Sequence, residues 1–219
     1  ADGQTYNVAV GYRAGKYITT GTGNIIMGGL AGDALTSGTG NVAIGQEALS
    51  TEDGHGLATA IGHHALKDLN AGANSWNTAV GYRAGAAMTT GLYNTILGGD
   101  AGRLITTASR NIAIGLQAMD ANTVGSKSIA IGVNALGNQN PATATDMHNV
   151  AIGESAGEAI TTGTSNTFVG GLAGDADTKG GHTVALGYGA FTTQNFTTAT
   201  DVFNTAVGSL AGEANVTGV

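Results

Sequence analysis

The sequence has no cysteine and a single proline, Pro141, among its 219 residues. The missing thiols exclude a disulfide framework and a thiolate metal site. Lys and Arg number only 8 against 15 Asp and Glu, and the formal net charge of −7 argues against a nucleic-acid partner. No apolar run approaches the roughly 18–20 residues of a membrane-spanning helix, so we expect no membrane insertion. The first residues show no signal-peptide pattern.

Glycine is abundant instead, with 38 residues, and much of it is periodic. The unit Asn-Thr-Ala-Val-Gly at 77–81 occurs twelve times in related forms, from 7–11 to 204–208. The glycines that end these units are 17 residues apart, except for three intervals of 19, 21 and 21. They are Gly11, Gly28, Gly45, Gly62, Gly81, Gly98, Gly115, Gly132, Gly153, Gly170, Gly187 and Gly208. Such a short, regular period predicts the stacked coils of a solenoid.

The residue types within one repeat predict a short strand. With the asparagine as position 0, position 1 is always β-branched, position 3 always large and aliphatic, position 4 always Gly and position 7 always Ala. Side chains alternate along a strand, so positions 1 and 3 should face the coil's second strand while the alanine of position 2 faces outward. A strand that is apolar on both faces is normally covered on both, which predicts a neighbouring chain over the alanines. The predicted interface residues are Ala9, Ala43, Ala79, Ala113, Ala151 and Ala206.

These patterns predict one all-β domain over residues 1–219, a parallel β-solenoid of about twelve 17-residue coils. The second half of each coil is interpreted as an outer strand that buries one aliphatic residue and exposes threonines. Groups of four or three coils recur as superrepeats. The longer insertions should project as loops from one edge of the rod. The superrepeats are 7–76, 77–148, 149–203 and a partial 204–219, and the insertions are 67–76, 137–148 and 192–203.

Bulky side chains replace the position 2 alanine in three coils, at Ile26, Ile96 and Phe168. Only those coils have glycine at position 5, at Gly29, Gly99 and Gly171. Position 2 gains side-chain volume in the same coils in which position 5 loses it, which predicts that the two side chains share one packed space. The alternative is that both features were inherited together with a duplicated coil.

The segment 41–48, Asn-Val-Ala-Ile-Gly-Gln-Glu-Ala, resembles the head repeat of trimeric autotransporter adhesins and the related repeats of bacteriophage tail fibres. The resemblance implies a left-handed parallel β-roll, packed as a homotrimer around a threefold axis. It also implies a non-enzymatic, extracellular protein, on a virion tail fibre or a bacterial surface, that attaches to a glycan or protein of a target cell. The adhesin repeat is usually shorter than 17 residues, which favours the phage-fibre relatives. No cofactor is implied.

Exposed aromatic and arginine side chains are the candidate surface-binding residues, since such residues contact sugars and proteins. They are Tyr12, Arg13, Trp76, Tyr82, Arg83 and Phe196. Alternatively, these side chains cover coil edges or subunit contacts. The nearest approach to a metal site is the pair His63 and His64 with His55 and Asp53, although no second pair recurs in other coils.

Catalytic and ice-binding alternatives rest on two further patterns. Carboxylates such as Glu47, Glu52, Asp53 and Glu154 share no repeat position, so we expect no enzyme rather than a glycan-degrading spike. Threonines at position 12 predict a row of hydroxyls on the outer face that could bind ice, or that simply follows the preference of Thr for strands. This row is Thr19, Thr36, Thr89, Thr106, Thr123, Thr161 and Thr178.

Overall fold

The structure is a computed structural model that describes residues 5–218. Twelve three-residue strands form one continuous parallel sheet in chain order, which confirms the predicted all-β solenoid of about twelve coils. These strands are β1 (Val8–Val10), β2 (Ile25–Met27), β3 (Val42–Ile44), β4 (Thr59–Ile61), β5 (Thr78–Val80), β6 (Thr95–Leu97), β7 (Ile112–Ile114), β9 (Ile129–Ile131), β11 (Val150–Ile152), β12 (Thr167–Val169), β14 (Val184–Leu186) and β16 (Thr205–Val207). Across residues 5–218 there is no helix of the length and apolarity needed to cross a membrane.

Neighbouring coils pair in register, residue for residue. In β3 and β4, for example, Val42 lies beside Thr59 and Ala43 beside Ala60. Each coil therefore adds one strand spacing of about 4.8 Å, and twelve coils make a rod of about 55 Å. Every repeat position accordingly forms a row that runs the length of the rod.

The invariant glycine of position 4 is required by backbone geometry. Its φ lies between 124° and 139° in all twelve coils, a region that side chains rarely allow. A Cβ built on Gly28 would lie 2.5 Å from the carbonyl oxygen of Gly45 in the next coil. Close backbone approach between coils thus explains why this position never varies.

The direction of the strand side chains is the reverse of our prediction. The position 2 alanines point into the coil, and Ala43, Ala79, Ala113 and Ala151 have no exposed surface even in the single chain. Ala206 is 6% exposed, and Ala9 is exposed in the first coil, where only one coil adjoins it. The predicted interface of alanines is therefore wrong, because the coil interior is too narrow for a row of large side chains. Positions 1 and 3 point outward.

The predicted sharing of space between positions 2 and 5 is also wrong, since a Cβ on Gly29 would meet nothing within 4 Å. The space for a bulky position 2 comes from glycine at position 8, in the same coil and in the one before it. A Cβ on Gly85 would lie 3.0 Å from Cδ1 of Ile96, and one on Gly157 would lie 2.6 Å from the Phe168 ring. Where position 8 is large, as at Leu49 and Met119, position 2 is alanine.

A ladder of buried asparagines at position 0 joins the two halves of each coil and each coil to the next. Asn94 is typical: its Oδ1 accepts the backbone N–H of Asn111 at 3.0 Å, and its Nδ2 donates to the Ala108 carbonyl at 3.0 Å. Three coils, which also carry the insertions, have Ala58, Ser128 and Thr183 instead. In two of these the buried Gln139 and Gln194 use Oε1 to accept the Nδ2 of the next ladder asparagine, Asn149 and Asn204, at 3.0 Å.

The second half of each coil consists of turns and bends rather than the predicted outer strand. It does bury an aliphatic residue at position 11, such as Leu35 or Met88, as predicted. Four two-residue strands occur near the longer insertions: β8 (Gly125–Ser126) pairs with β10 (Thr145–Asp146), and β13 (Gly180–Gly181) pairs with β15 (Thr200–Asp201). The insertions thus fold back along the preceding coil.

Candidate functional site: an apolar sheet face

The outward face of the twelve-stranded sheet is a regular apolar surface that runs the length of the described rod. Every side chain at positions 1 and 3 is uncharged, and each is Val, Ile, Leu, Met or Thr. They remain exposed or half-buried in the single chain: Val10 is 54% exposed, Met27 40% and Ile152 38%. We call these two rows the aliphatic face. No charged side chain interrupts it along the rod, so nothing on the face opposes contact with another apolar surface.

Two further rows, at position 5 and at the residue before position 0, flank the aliphatic face. Ten of the twelve residues that precede position 0 are not glycine, yet their φ lies between 46° and 63°. This row is rich in aromatic and cationic side chains. Trp76 is 56% exposed and Tyr93 49%, and the Arg110 guanidinium lies 5.6 Å from the centre of the Tyr93 ring. This left-handed backbone could not be predicted from the residue types, because large side chains seldom adopt it.

The predicted surface-binding residues fall in different places. Tyr12 and Tyr82 are 74% and 52% exposed, both in the position 5 row, and lie four coils apart. The guanidinium groups of Arg13 and Arg83 lie 6.0 and 5.6 Å from the rings of these tyrosines. Trp76 lies at the opposite edge of the aliphatic face. These five residues therefore do not form one site.

Phe196 is not a surface residue, which corrects its prediction. It is only 8% exposed, and its backbone N–H donates to Oδ1 of the buried Asp177 at 3.1 Å. Its carbonyl oxygen accepts the backbone N–H of Lys179 at 3.0 Å. Phe196 thus anchors the insertion of its coil rather than contacting a partner.

The histidines considered for a metal site separate into two groups. His63 stacks on Tyr82 with 5.5 Å between ring centroids, and Nε2 of His64 lies 3.3 Å from Oε2 of Glu47. Lys67 also binds Glu47, at 3.1 Å, and this hydrogen bond lowers the pKa of the Glu47 carboxyl. Burial, with the adjacent His63 second, lowers the pKa of His64. This arrangement is a surface ion pair network beside the sheet edge.

His55 lies instead with Glu52 and Asp53, and their possible ligand atoms all lie within 4.8 Å of one another. Both carboxylate oxygens of the buried Glu52 are already used by the backbone. Oε1 accepts the N–H of His55 at 3.1 Å, and Oε2 accepts that of Ala71 at 3.2 Å. Glu52 therefore acts as an anchor for the inserted segment.

Sequence reasoning missed this anchoring role, which recurs before each insertion. Position 11 is aliphatic in six of the twelve coils, but it is Glu52, Asn122 or Asp177 in the coil that precedes a longer one. All three are buried and accept backbone N–H groups near the insertion. A polar residue at position 11 is the signal that could have drawn attention to them, and they share it with Gln139, Gln194 and Asn215.

The threonine hydroxyls of position 12 are mostly used within the rod. Oγ1 of Thr36 donates to the Asp53 carbonyl at 2.9 Å, and Oγ1 of Thr106 donates to the Thr123 carbonyl at 3.1 Å. Both bonds run along the rod axis to the next coil. A hydroxyl that donates to the protein has no donor left for ordered water, so the row favours a structural role over ice binding.

Comparison with known proteins gives no relative. Neither the protein-family models, nor the curated proteins, nor the solved structures contain a match to this chain.

Proposed function

We propose that this protein is a non-enzymatic fibre segment of a phage tail fibre or a bacterial surface adhesin. Three copies pack through their aliphatic faces and form a rigid extracellular rod that supports attachment to a host cell surface. The single observation that carries this proposal is the uninterrupted aliphatic face, which a lone rod would leave in water.

The extent of the face supports a stable interface. With its two flanking rows it spans seven residues across the strand and about 55 Å along the rod, which is about 1,000 Å². A typical stable interface buries about 800 Å² on each partner. The face is therefore large enough to hold copies together.

Its regularity supports a second copy of this chain as the partner. The apolar ridges recur at every coil, and another copy presents ridges of identical spacing over the same length. Homo-oligomers with closed symmetry are also the commonest assemblies. The number three and the surface location come from the resemblance to adhesin and tail-fibre repeats.

Sedimentation equilibrium tests the assembly. The chain of 21.5 kDa should sediment with three times that mass, and Ile114→Lys at the centre of the aliphatic face should weaken association at least about 100-fold. Thr90→Lys introduces the same charge at an exposed position of the second half of a coil and should leave the trimer intact. A monomeric wild-type chain, or an Ile114→Lys trimer of unchanged stability, would refute the proposed interface.

A further inference from the structure

A cleft lies where the insertion of the eleventh coil folds back along the rod. The pairing of β13 with β15 holds this segment against the preceding coils. The buried Asp177 fixes it further, since its Oδ1 accepts the N–H groups of Gly180 and Phe196 at 3.0 and 3.1 Å, and its Oδ2 accepts Nε2 of Gln194 at 3.0 Å. The walls of the cleft are therefore pre-organised.

The cleft has a volume of about 170 Å³, which suits one small polar ring. Hydroxyl groups and two opposite charges line it. The side chains concerned are Thr162, Thr164, Lys179, Thr200 and Asp201. Because no large apolar residue lines the walls, the surface suits a ligand rich in hydroxyl groups.

Lys179 is unusual among the eight cationic residues of the chain. Every other one has an anionic or aromatic partner: Arg13 with Tyr12, Lys16 with Tyr17, Lys67 with Glu47, Arg83 with Asp100, Arg103 with Asp120, Arg110 with Tyr93 and Lys127 with Asp146. Among residues 5–218, no side chain forms an ion pair or ring contact with Lys179. Its ammonium group is thus available to an anion in the cleft.

Asp201 connects the cleft to an exposed aromatic ring. Its Oδ1 lies 3.5 Å from Nε2 of His182, and the His182 ring stacks on Phe203 with 5.1 Å between centroids. Phe203 is 71% exposed. Phe203 belongs to the row that flanks the aliphatic face, so the proposed trimer would cover its ring, and the contacts proposed below do not use it.

The equivalent insertion of the eighth coil lacks these features. Val124 stands at the repeat position of Lys179, and Asp146, the counterpart of Asp201, is bound to Lys127 at 2.6 Å. The two insertions share the same pattern, so the free cation of the tenth coil, beside the second of these insertions, is not needed to hold such an insertion in place.

We propose that this cleft binds one carboxylated sugar unit of a surface glycan. The Lys179 ammonium pairs with the sugar carboxylate, while the threonine hydroxyls and Asp201 bond to the ring hydroxyls. The inference deepens the proposed attachment role, on which its biological use rests. The cleft itself is built within one chain and does not require the trimer.

Titration followed by saturation-transfer NMR tests the site, with methyl β-D-glucuronide and methyl β-D-glucoside as probes that differ in the carboxylate. The glucuronide should bind at least about 10-fold more tightly than the glucoside. Lys179→Gln should remove that preference and Lys179→Arg should retain most of it. Lys16→Gln, a distant exposed lysine, should change nothing.

Equal binding of the two probes, no binding of the glucuronide, or equal loss in Lys179→Gln and Lys16→Gln would each overturn the proposal. The Ile114→Lys variant separates this result from that of the trimer. If that variant binds the glucuronide as the wild type does, the cleft binds the sugar independently of trimer formation.

Discussion

The strand half of each coil and its second half differ in how far their sequence and length vary. In the strand half, positions 0 to 4 hardly vary, and each residue contacts its counterpart in the next coil. In the second half, the backbone turns irregularly, and the only insertions of the chain occur there.

The difference teaches where the chain can vary. A row that is packed against its own copies on both sides tolerates few residue types, because any change affects contacts with two neighbouring coils. The turns of the second half are anchored by single polar side chains such as Glu52 and Asp177, so they can lengthen and acquire a cleft.

The largest contrast should come from glycine substitutions in the two halves. Gly28→Ala forces a Cβ to 2.5 Å from a carbonyl oxygen at φ 134°, so it should lower the free energy of unfolding by about 3 kcal/mol or more. Gly29→Ala, next in sequence, meets nothing within 4 Å, and Gly54→Ala in the second half meets only Oγ of Ser37 at 3.4 Å. Both should be nearly neutral in urea unfolding. Similar losses in all three variants would contradict the contrast.

Breaking the bonds that join the halves should have an intermediate effect. Asn94→Ala leaves the buried N–H of Asn111 and the carbonyl of Ala108 without their partner, which should cost about 2–4 kcal/mol in urea unfolding. Thr89→Val removes one exposed hydroxyl bond, at 3.3 Å to the Thr106 carbonyl, and should cost less than about 1 kcal/mol. If Thr89→Val were the more damaging variant, the ladder would not be the principal link.

The smallest effect concerns Asp175, whose buried Oδ1 has no hydrogen-bond partner among residues 5–218. Burial raises the pKa of this carboxyl, so the folded state holds the proton more tightly than the unfolded chain does. Folding stability must therefore fall as the pH rises above the ordinary value of 3.8. Asp175→Asn should raise Tm at pH 7 by up to about 3 °C, and the gain should vanish below pH 3.8.

Asp33→Asn is the matched control, since Asp33 occupies the same repeat position in the second coil. It should give no comparable gain in the same calorimetric scans. A gain for Asp175→Asn that persisted at low pH would show that desolvation of the carboxylate is not its cause.

The repeat alone predicted the solenoid, the number of coils and the position of the strands. The prediction failed on which strand side chains point inward, because both faces of the strand are apolar. The alternation of side chains does not say which face lies inside the coil. Residue size decides it, since small Ala79 fits the narrow interior and Val80 does not.

The candidate surfaces were less predictable for a related reason. Trp76 and Phe196 look alike in sequence as aromatic residues of two insertions, yet one is exposed and the other buried. Their difference depends on how each insertion folds back on its anchor. The absence of an ion-pair partner for Lys179 likewise depends on which side chains the fold brings near its ammonium group. No local sequence pattern predicts those contacts.

The glycine that flanks each bulky side chain at position 2 also constrains how such a rod can change its length. Removing the coil of Ile96, which also contains Gly102, would leave Gly85 beside a void, and removing the coil of Gly85 would bring Ile96 against the large Leu66. A coil with alanine at position 2 and a large residue at position 8 can be deleted with less damage to core packing, because an adjoining coil of the same type has the same interior side chains. The superrepeat 149–203 has one such coil where 77–148 has two, so solenoids of this kind should shorten or grow by that coil type.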